Sequence, residues 1–267
     1  MTLYNPDYLN NINIFNSKEL DFLDSLQKSM DLNLFLNDKK LNEKFSFDFI
    51  HSSSQIEGNS YTKAETLSLL DIGITAGGKK FSDAVMILNL REIYNEIINN
   101  DFEINKTNLH HIHSIIAKDL VKDLGIIRKS SIGGITGSSY LPLASGDRLN
   151  AKMNYLLKQA TQIQIPFDKA VYLHNNIAYL KYFEDANKRT ARTMQFISLK
   201  NDKIMPLILI NDDKILYDAY RSAMVAYYES GDYTLYKDFF MKNYEILSDF
   251  FKLLNDNIKY SKHIKRR

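Results

Sequence analysis

The sequence predicts an all-α fold. Apolar residues recur at steps of three and four along most of the chain, and helix breakers are few, with 4 Pro and 10 Gly in 267 residues. Several of the glycines gather in two places, 73–78 and 125–146. Spacing of this kind puts one apolar stripe on each helix, and burial of that stripe against neighbouring helices stabilises it.

In chain order, Thr62, Lys63, Ala64 and Glu65 form a capping-box pattern ahead of the apolar run TLSLL, so a helix should begin there. Helical periodicity then runs through Ser82 to Ile98, Leu109 to Leu120, Ala151 to Ala160 and Tyr217 to Tyr228. Within AVYLHNNIAYLKYF, Ala170, Leu173, Ile177 and Leu180 share one face, which predicts a helix ending near Phe183. A second apolar-spaced run follows at Ala191, Met194, Phe196 and Ile197, and helical spacing returns from Asp232 onward. The exception is Leu124 to Asp147, whose Ser, Gly and Pro content argues against helix. The isoleucines beside Gly133 and Gly134 suggest a short β-hairpin there. A long loop inside a compact helical domain is usually functional or disordered.

Composition narrows the function classes. The chain is 45% hydrophobic, enough for a substantial core, and its formal net charge of +2 implies no global attraction to nucleic acid or membranes. The basic end KHIKRR is one short cluster, read as a solvated terminus rather than a nucleic-acid patch. The absence of cysteine removes disulfides, thiolate metal sites and cysteine nucleophiles, and fits a reducing cytoplasm. The start MTLYNPDYLN has no signal-peptide pattern, and no apolar stretch is long enough to span a bilayer, so a cytoplasmic protein is expected.

The chemistry concentrates in KYFEDANKRTAR, residues 181–192. A helix, a tight polar turn and a second helix bring the turn's N–H groups and the positive end of the second helix to one spot, which suits an anion. Arg189 and Arg192 are three apart and project from the same side, and Lys188 adds a third cation. Three cations suit a polyphosphate better than a single carboxylate. Asp185 would repel phosphate unless Mg²⁺ stood between them, since that ion takes one or two carboxylates and fills its shell with phosphate oxygens and water. From spacing alone, a solvated turn laced with ordinary ion pairs is an equal reading.

These residues resemble the Fic (Fido-fold) signature H-x-F-x-[DE]-[GA]-N-[GK]-R-x-x-R, matched at Phe183, Asp185, Ala186, Asn187, Lys188, Arg189 and Arg192. SSSQIEGN resembles the family's inhibitory motif [ST]-x-x-x-E-[GN], with Ser53, Glu57 and Gly58 in register. GIIRKSSIGGITGSSYLP resembles the flap that precedes the active site. The resemblance implies a mostly helical core and transfer of AMP from ATP to a hydroxyl of a target protein, with Mg²⁺ as cofactor. Carried over, Asp185 would hold the metal, and Ala186, Asn187 and Lys188 would wrap the phosphates. Arg189 would reach the phosphates nearest the cleaved bond, and Arg192 the terminal phosphate. The flap residues Ile135, Thr136, Gly137, Ser138, Ser139 and Tyr140 would pair with an extended target segment through main-chain hydrogen bonds. Ser53 and Glu57, on one helix face, would let Glu57 pair with Arg192 and spoil the ATP pose, with Gly58 stopping the helix. The implied organisation is an N-terminal helical region over 1–80 carrying that motif, a Fic core over 81–235, and a helical extension over 236–267.

One position departs from the pattern. The signature histidine, which takes the target's proton, is here Lys181. An ordinary lysine is protonated at pH 7, and keeping half of it neutral requires roughly 4.6 kcal/mol of destabilisation of the ammonium. His174 lies two turns back and is expected to be a buried histidine satisfied by a neighbouring helix. His110, His111 and His113 lack a carboxylate at useful helical spacing for zinc. Three readings stay open: a protein adenylyltransferase autoinhibited by Glu57, a nucleotide-binding pseudoenzyme, or a hydrolase that removes AMP with Glu57 and Lys181. A protein target bearing a Ser, Thr or Tyr hydroxyl is the expected partner, nucleic acid and membranes are not, and a homodimer is left open.

Overall fold

The computed structural model describes residues 1–129 and 137–264. Among the described residues it is mostly helical, as the periodicity predicts. A two-residue strand β1 (Thr2–Leu3) and a 3-10 turn (Pro6–Asn10) lead into helices α1 (Ser17–Gln27), α2 (Leu32–Asn37), α3 (Lys39–Ile56), α4 (Lys63–Ile72), α5 (Phe81–Asn99) and α6 (Lys106–Ile116). After strand β2 (Tyr140–Leu141) come α7 (Asp147–Gln162), α8 (Pro166–Leu180), α9 (Asn187–Asn201), α10 (Lys214–Ser230) and α11 (Thr234–Ile264).

Local chemistry sets most helix starts. Asn16, Asp31, Asp38, Asn105 and Asp213 each accept a first-turn N–H through their side chains. The predicted capping box is present at α4, where Thr62 and Glu65 bond reciprocally. The α8 helix starts on Pro166, whose fixed φ suits a first turn, and it ends at Leu180, three residues before Phe183.

The α8 helix is the axis of the molecule. Every residue from Ala170 to Leu180 is buried, His174, Asn175 and Asn176 included, so no face meets water. A helix enclosed on all sides must satisfy its polar groups internally. Asn176 does so by donating to the Tyr172 carbonyl and Tyr233 Oη while accepting from Tyr227 Oη. At the other end Asp168 accepts from the N–H groups of Ile14 and Phe15, at 3.2 and 2.9 Å. The largest helix–helix contact is α8 with α9, and α3, α5, α10 and α11 complete one contiguous core that runs from Leu9 to Phe251.

The region expected as a hairpin is only partly described. Residues 130–136, including Gly133, Gly134, Ile135 and Thr136, lie outside the described residues. The strand seen beside them, β2, pairs in parallel with β1, in register Thr2 with Tyr140 and Leu3 with Leu141. A ladder of tyrosines fixes this small sheet to the helices: Tyr140 stacks on Tyr179 at 4.7 Å and Tyr4 stacks on Tyr179 at 5.5 Å. No helix among the described residues is long and apolar enough to cross a membrane.

Candidate functional site

The connection between α8 and α9 is built from strained backbone. Lys181 closes α8 in the left-handed region (φ 48°, ψ 48°), and Ala186 precedes α9 in the same region (φ 58°, ψ 11°). Such conformations cost an L-residue on the order of 1–3 kcal/mol and persist only where the surroundings impose them. Here Asn187 imposes them. Its Oδ1 accepts from the Phe183 N–H at 2.9 Å and its Nδ2 donates to the Phe183 carbonyl at 2.8 Å. The Arg128 N–H bonds the Tyr182 carbonyl at 3.0 Å. His113 stacks on Phe183 with ring centroids 3.7 Å apart and reaches the Asp185 carbonyl through Nε2 at 3.2 Å. Among the described residues no side chain caps α9, so its first-turn N–H groups have no side-chain acceptor there.

The expected residues converge on this helix start. Glu57, which follows α3, pairs with two cations at once: Oε1 lies 2.9 Å from Arg192 Nη1 and Oε2 lies 3.0 Å from Lys188 Nζ. The Arg192 contact is a close ion pair off the N–H axis. Its aligned hydrogen bonds run from Nε to Ser53 Oγ (2.9 Å), from Nη2 to the Ser53 carbonyl (3.0 Å) and from Nη1 to Tyr220 Oη (3.1 Å). Burial pushes the Glu57 carboxyl up, but Arg192, Lys188 and Arg189 outweigh it and hold the group at about 2.

Gly58 stops α3 as the sequence predicts, by a Schellman closure. The Gly58 N–H bonds the Gln55 carbonyl at 2.9 Å and the Asn59 N–H bonds the Ser54 carbonyl at 3.1 Å, with Gly58 at φ 81°.

Arg189 is buried. Its Nη2 meets Asp185 Oδ2 at 3.1 Å, while its Nε and Nη1 have no hydrogen-bond partner among the described residues. Asp185 presents its carboxylate to solvent, with 66% of the side chain exposed. Asn187 turns its amide inward to hold the loop, so its contribution to the site is the shape of the turn. Lys181 is half-buried and has no ion-pair partner within 4.0 Å among the described residues. Burial and then the nearby Lys188 push its ammonium below the ordinary lysine range, against the pull of Asp185 and Glu57.

Of the flap residues, Gly137, Ser138, Ser139 and Tyr140 are described. Glu229 holds them: its Oε1 accepts from Ser138 Oγ at 2.9 Å and from the Ser139 N–H at 2.7 Å. The Tyr140 side chain is buried in the tyrosine ladder, and its hydroxyl donates to the Tyr179 carbonyl at 3.0 Å.

His174 is the buried histidine the sequence predicts, satisfied in part by a neighbouring helix. Its Nε2 lies 3.0 Å from Tyr220 Oη and its Nδ1 3.0 Å from Asn175 Oδ1. Burial pushes it down to about 3, so it is neutral. Tyr220 then donates to His174 while accepting from Arg192, which closes the donor account. The 110–113 cluster has a carboxylate in reach from another helix rather than at helical spacing: Glu96 of α5 meets His111 at 2.8 Å. His110 instead lies against Tyr182 and His113 against Phe183, so the three rings part, and no group of three metal-ligating side chains occurs among the described residues. Tyr220 is not singled out by the sequence, and His113 is weighed there only as a zinc ligand, since each reaches the site from a distant helix and carries no local motif for this role.

The Fic/DOC family model matches residues 103–199, which hold α6 to α8, the whole turn and all but the last two residues of α9. A protein adenylyltransferase Fic of Nematostella vectensis is 26% identical over 189 residues, covering 65% of this chain and 42% of that protein. One from Aedes aegypti is 27% identical over 216 residues, covering 74% and 40%. The chain therefore spans about two fifths of the length of the curated relatives it matches. A crystal structure of a Fic family protein from Desulfovibrio desulfuricans G20 superposes with a TM-score of 0.72 at 18% identity, covering 91% of this chain and 73% of that one. The fold is that of solved Fic proteins, and the Fic/DOC family model matches the segment that carries the site.

Proposed function

We propose that the turn at 183–189 and the start of α9 bind ATP with Mg²⁺, and that the chain is a protein adenylyltransferase held closed by Glu57. The observation that carries this reading is the state of the three cations. Lys188 and Arg192 have their negative partner supplied by Glu57 at the end of α3, and Arg189 keeps two buried N–H groups without an acceptor among the described residues. A buried unpaired donor costs about 1–3 kcal/mol, which a phosphate oxygen would relieve. Asp185 fits Mg²⁺, because a single exposed carboxylate beside phosphates matches an ion that draws most of its shell from phosphate and water. That ion would neutralise phosphate charge during transfer. Arg189 would hold the phosphates nearest the cleaved bond, Lys188 and the open first-turn N–H groups would cradle the chain of phosphates, and Arg192, once freed of Glu57, would take the terminal one.

In the transfer, a Ser, Thr or Tyr oxygen of the target protein bonds to the α-phosphorus, the bond from that phosphorus to the bridging oxygen breaks, and pyrophosphate leaves. The hydroxyl proton needs an acceptor. Lys181 stands at the position the resemblance gives to that group, and its lowered affinity for a proton supports the role without completing it. The same residue favours a second reading, nucleotide binding without transfer, in which the ammonium is one more phosphate contact.

Labelling with ATP radioactive at the α-phosphate separates the two. Glu57→Gly is expected to bind Mg²⁺–ATP more tightly than the unaltered protein and to label itself or a protein target. Labelling that appears only when Lys181→His is added to Glu57→Gly would assign binding without transfer to the natural site. Failure of both forms to bind ATP in calorimetry would refute the nucleotide reading altogether.

A further inference from the structure

The lock between Glu57 and the α9 cations is gripped from a third helix. Arg221, on α10, donates from Nε to the Ile56 carbonyl at 3.0 Å and from Nη2 to the Gln55 carbonyl at 2.9 Å. These are carbonyls of the last turn of α3, immediately before Glu57. The Schellman closure uses the carbonyls of Ser54 and Gln55 and leaves Ile56 to Arg221. A cation at a helix C-terminus is also favoured by the helix dipole. The adjacent residue, Tyr220, holds the other half of the lock by accepting from Arg192 Nη1. One turn of α10 therefore grips both the backbone that aims Glu57 and the guanidinium it is aimed at. Asp218 holds Arg221 Nη1 at 2.6 Å, which orients the guanidinium fork toward α3.

We propose that Arg221 is a positioning residue for the Glu57 lock: it fixes the end of α3 so that the Glu57 carboxylate meets Arg192 and Lys188 together. The proposal rests on the reading that Glu57 closes a nucleotide site. Glu57 itself sits outside the helix at φ −85° and ψ 3°, with its N–H on the Ser54 carbonyl at 3.0 Å. Loss of the two Arg221 bonds lets the last turn of α3 fray, and the carboxylate must span two cations from a backbone no longer held. Neither Arg192 nor Lys188 is touched by the change.

The test uses calorimetric titration of the full chain with ATP and MgCl₂, with melting temperature recorded for each variant. Arg221→Met keeps the length of the side chain and removes its donors. The lost charge-assisted hydrogen bonds are expected to tighten ATP binding about tenfold. Arg221→Lys, which can serve only part of the pair of carbonyls, is expected to give a smaller gain and stands in if Arg221→Met does not fold. In a Glu57→Gly background, Arg221→Met is expected to leave affinity unchanged, because the group it positions is gone. A merely structural role would lower the melting temperature and leave the affinity of the Glu57-containing protein alone. The proposal is overturned if Glu57→Gly tightens binding while both Arg221 variants do not, or if Arg221→Met shifts affinity equally with and without Glu57. If Glu57→Gly itself leaves binding unchanged, it is the closing role of Glu57 that fails.

Discussion

Glu57 and Arg192 approach to 2.9 Å between Oε1 and Nη1, and Ser53, in the last turn of α3 just before Glu57, binds the same guanidinium at 2.9 Å. Arg192 is thus enclosed by α3 on two sides and by Tyr220 on a third, and it can meet another anion only if Glu57 withdraws. The arrangement exchanges one buried anion for another, so the protein carries a stand-in for the charge it is proposed to bind.

The acid response of this pair has a definite sign. The Glu57 carboxyl is held at about 2, below its ordinary 4.5, so its pairing contributes stability that is fully present above pH 4.5 and is lost as pH falls toward 2. Glu57→Gln should therefore be less stable than the unaltered protein near neutrality, by on the order of 3 kcal/mol. The difference should close between pH 4.5 and 2, as measured by thermal unfolding across that range. A gap that closes already near pH 6 would contradict the pairing.

A second window lies at milder acidity and belongs to histidines. Burial holds His113 at about 4 and His174 at about 3, both below the ordinary 6.5, so each is neutral in the fold and takes a proton on unfolding. Their contribution is present above pH 6.5 and declines as pH falls toward 4, by about 1.4 kcal/mol per pH unit for each proton withheld. Unfolding by urea at pH 7, 6 and 5 should show this decline. His113→Phe, which keeps the stack on Phe183, should remove the His113 share of the decline and leave that of His174.

Asn187 should be the least replaceable polar residue of the turn. Asn187→Ala would leave both the N–H and the carbonyl of Phe183 without partners in a buried place, at about 1–3 kcal/mol each. The expected outcome is a lower melting temperature together with loss of ATP binding in the Glu57→Gly form. Asn187→Asp keeps the acceptor for the N–H but sets an oxygen against the carbonyl, and it should be rescued little.

What the sequence made legible follows from the range of each signal. The α8 stripe, the α4 capping box, the Gly58 stop and the cation spacing of α9 are local, and each is visible within a few residues. The meeting of Ser53 and Glu57 with Arg192 is long-range and legible only through a resemblance that couples two distant motifs, whereas the second pair, Glu57 with Lys188, emerges from the structure. Tyr220, Arg221 and His113 have no such coupling. Their sequence surroundings are ordinary amphipathic helix, and their roles arise only from how α10 and α6 dock. The left-handed backbone at Lys181 and Ala186 was equally unreadable, because neither residue type favours it and the bonds of Asn187 impose it from outside. The parallel pairing of β2 with β1 was missed because two residues carry no strand periodicity.

That pairing places residue 1 beside the flap. The Thr2 N–H donates to the Ser139 carbonyl at 3.0 Å, and Met1 is 87% exposed, so the backbone ahead of Thr2 leads outward from this edge. Any polypeptide joined ahead of residue 1 is tethered there, and a short tether sets an effective concentration on the order of millimolar. A fused tag, or a second domain, would be held near Ser139 at concentrations a diffusing polypeptide rarely reaches.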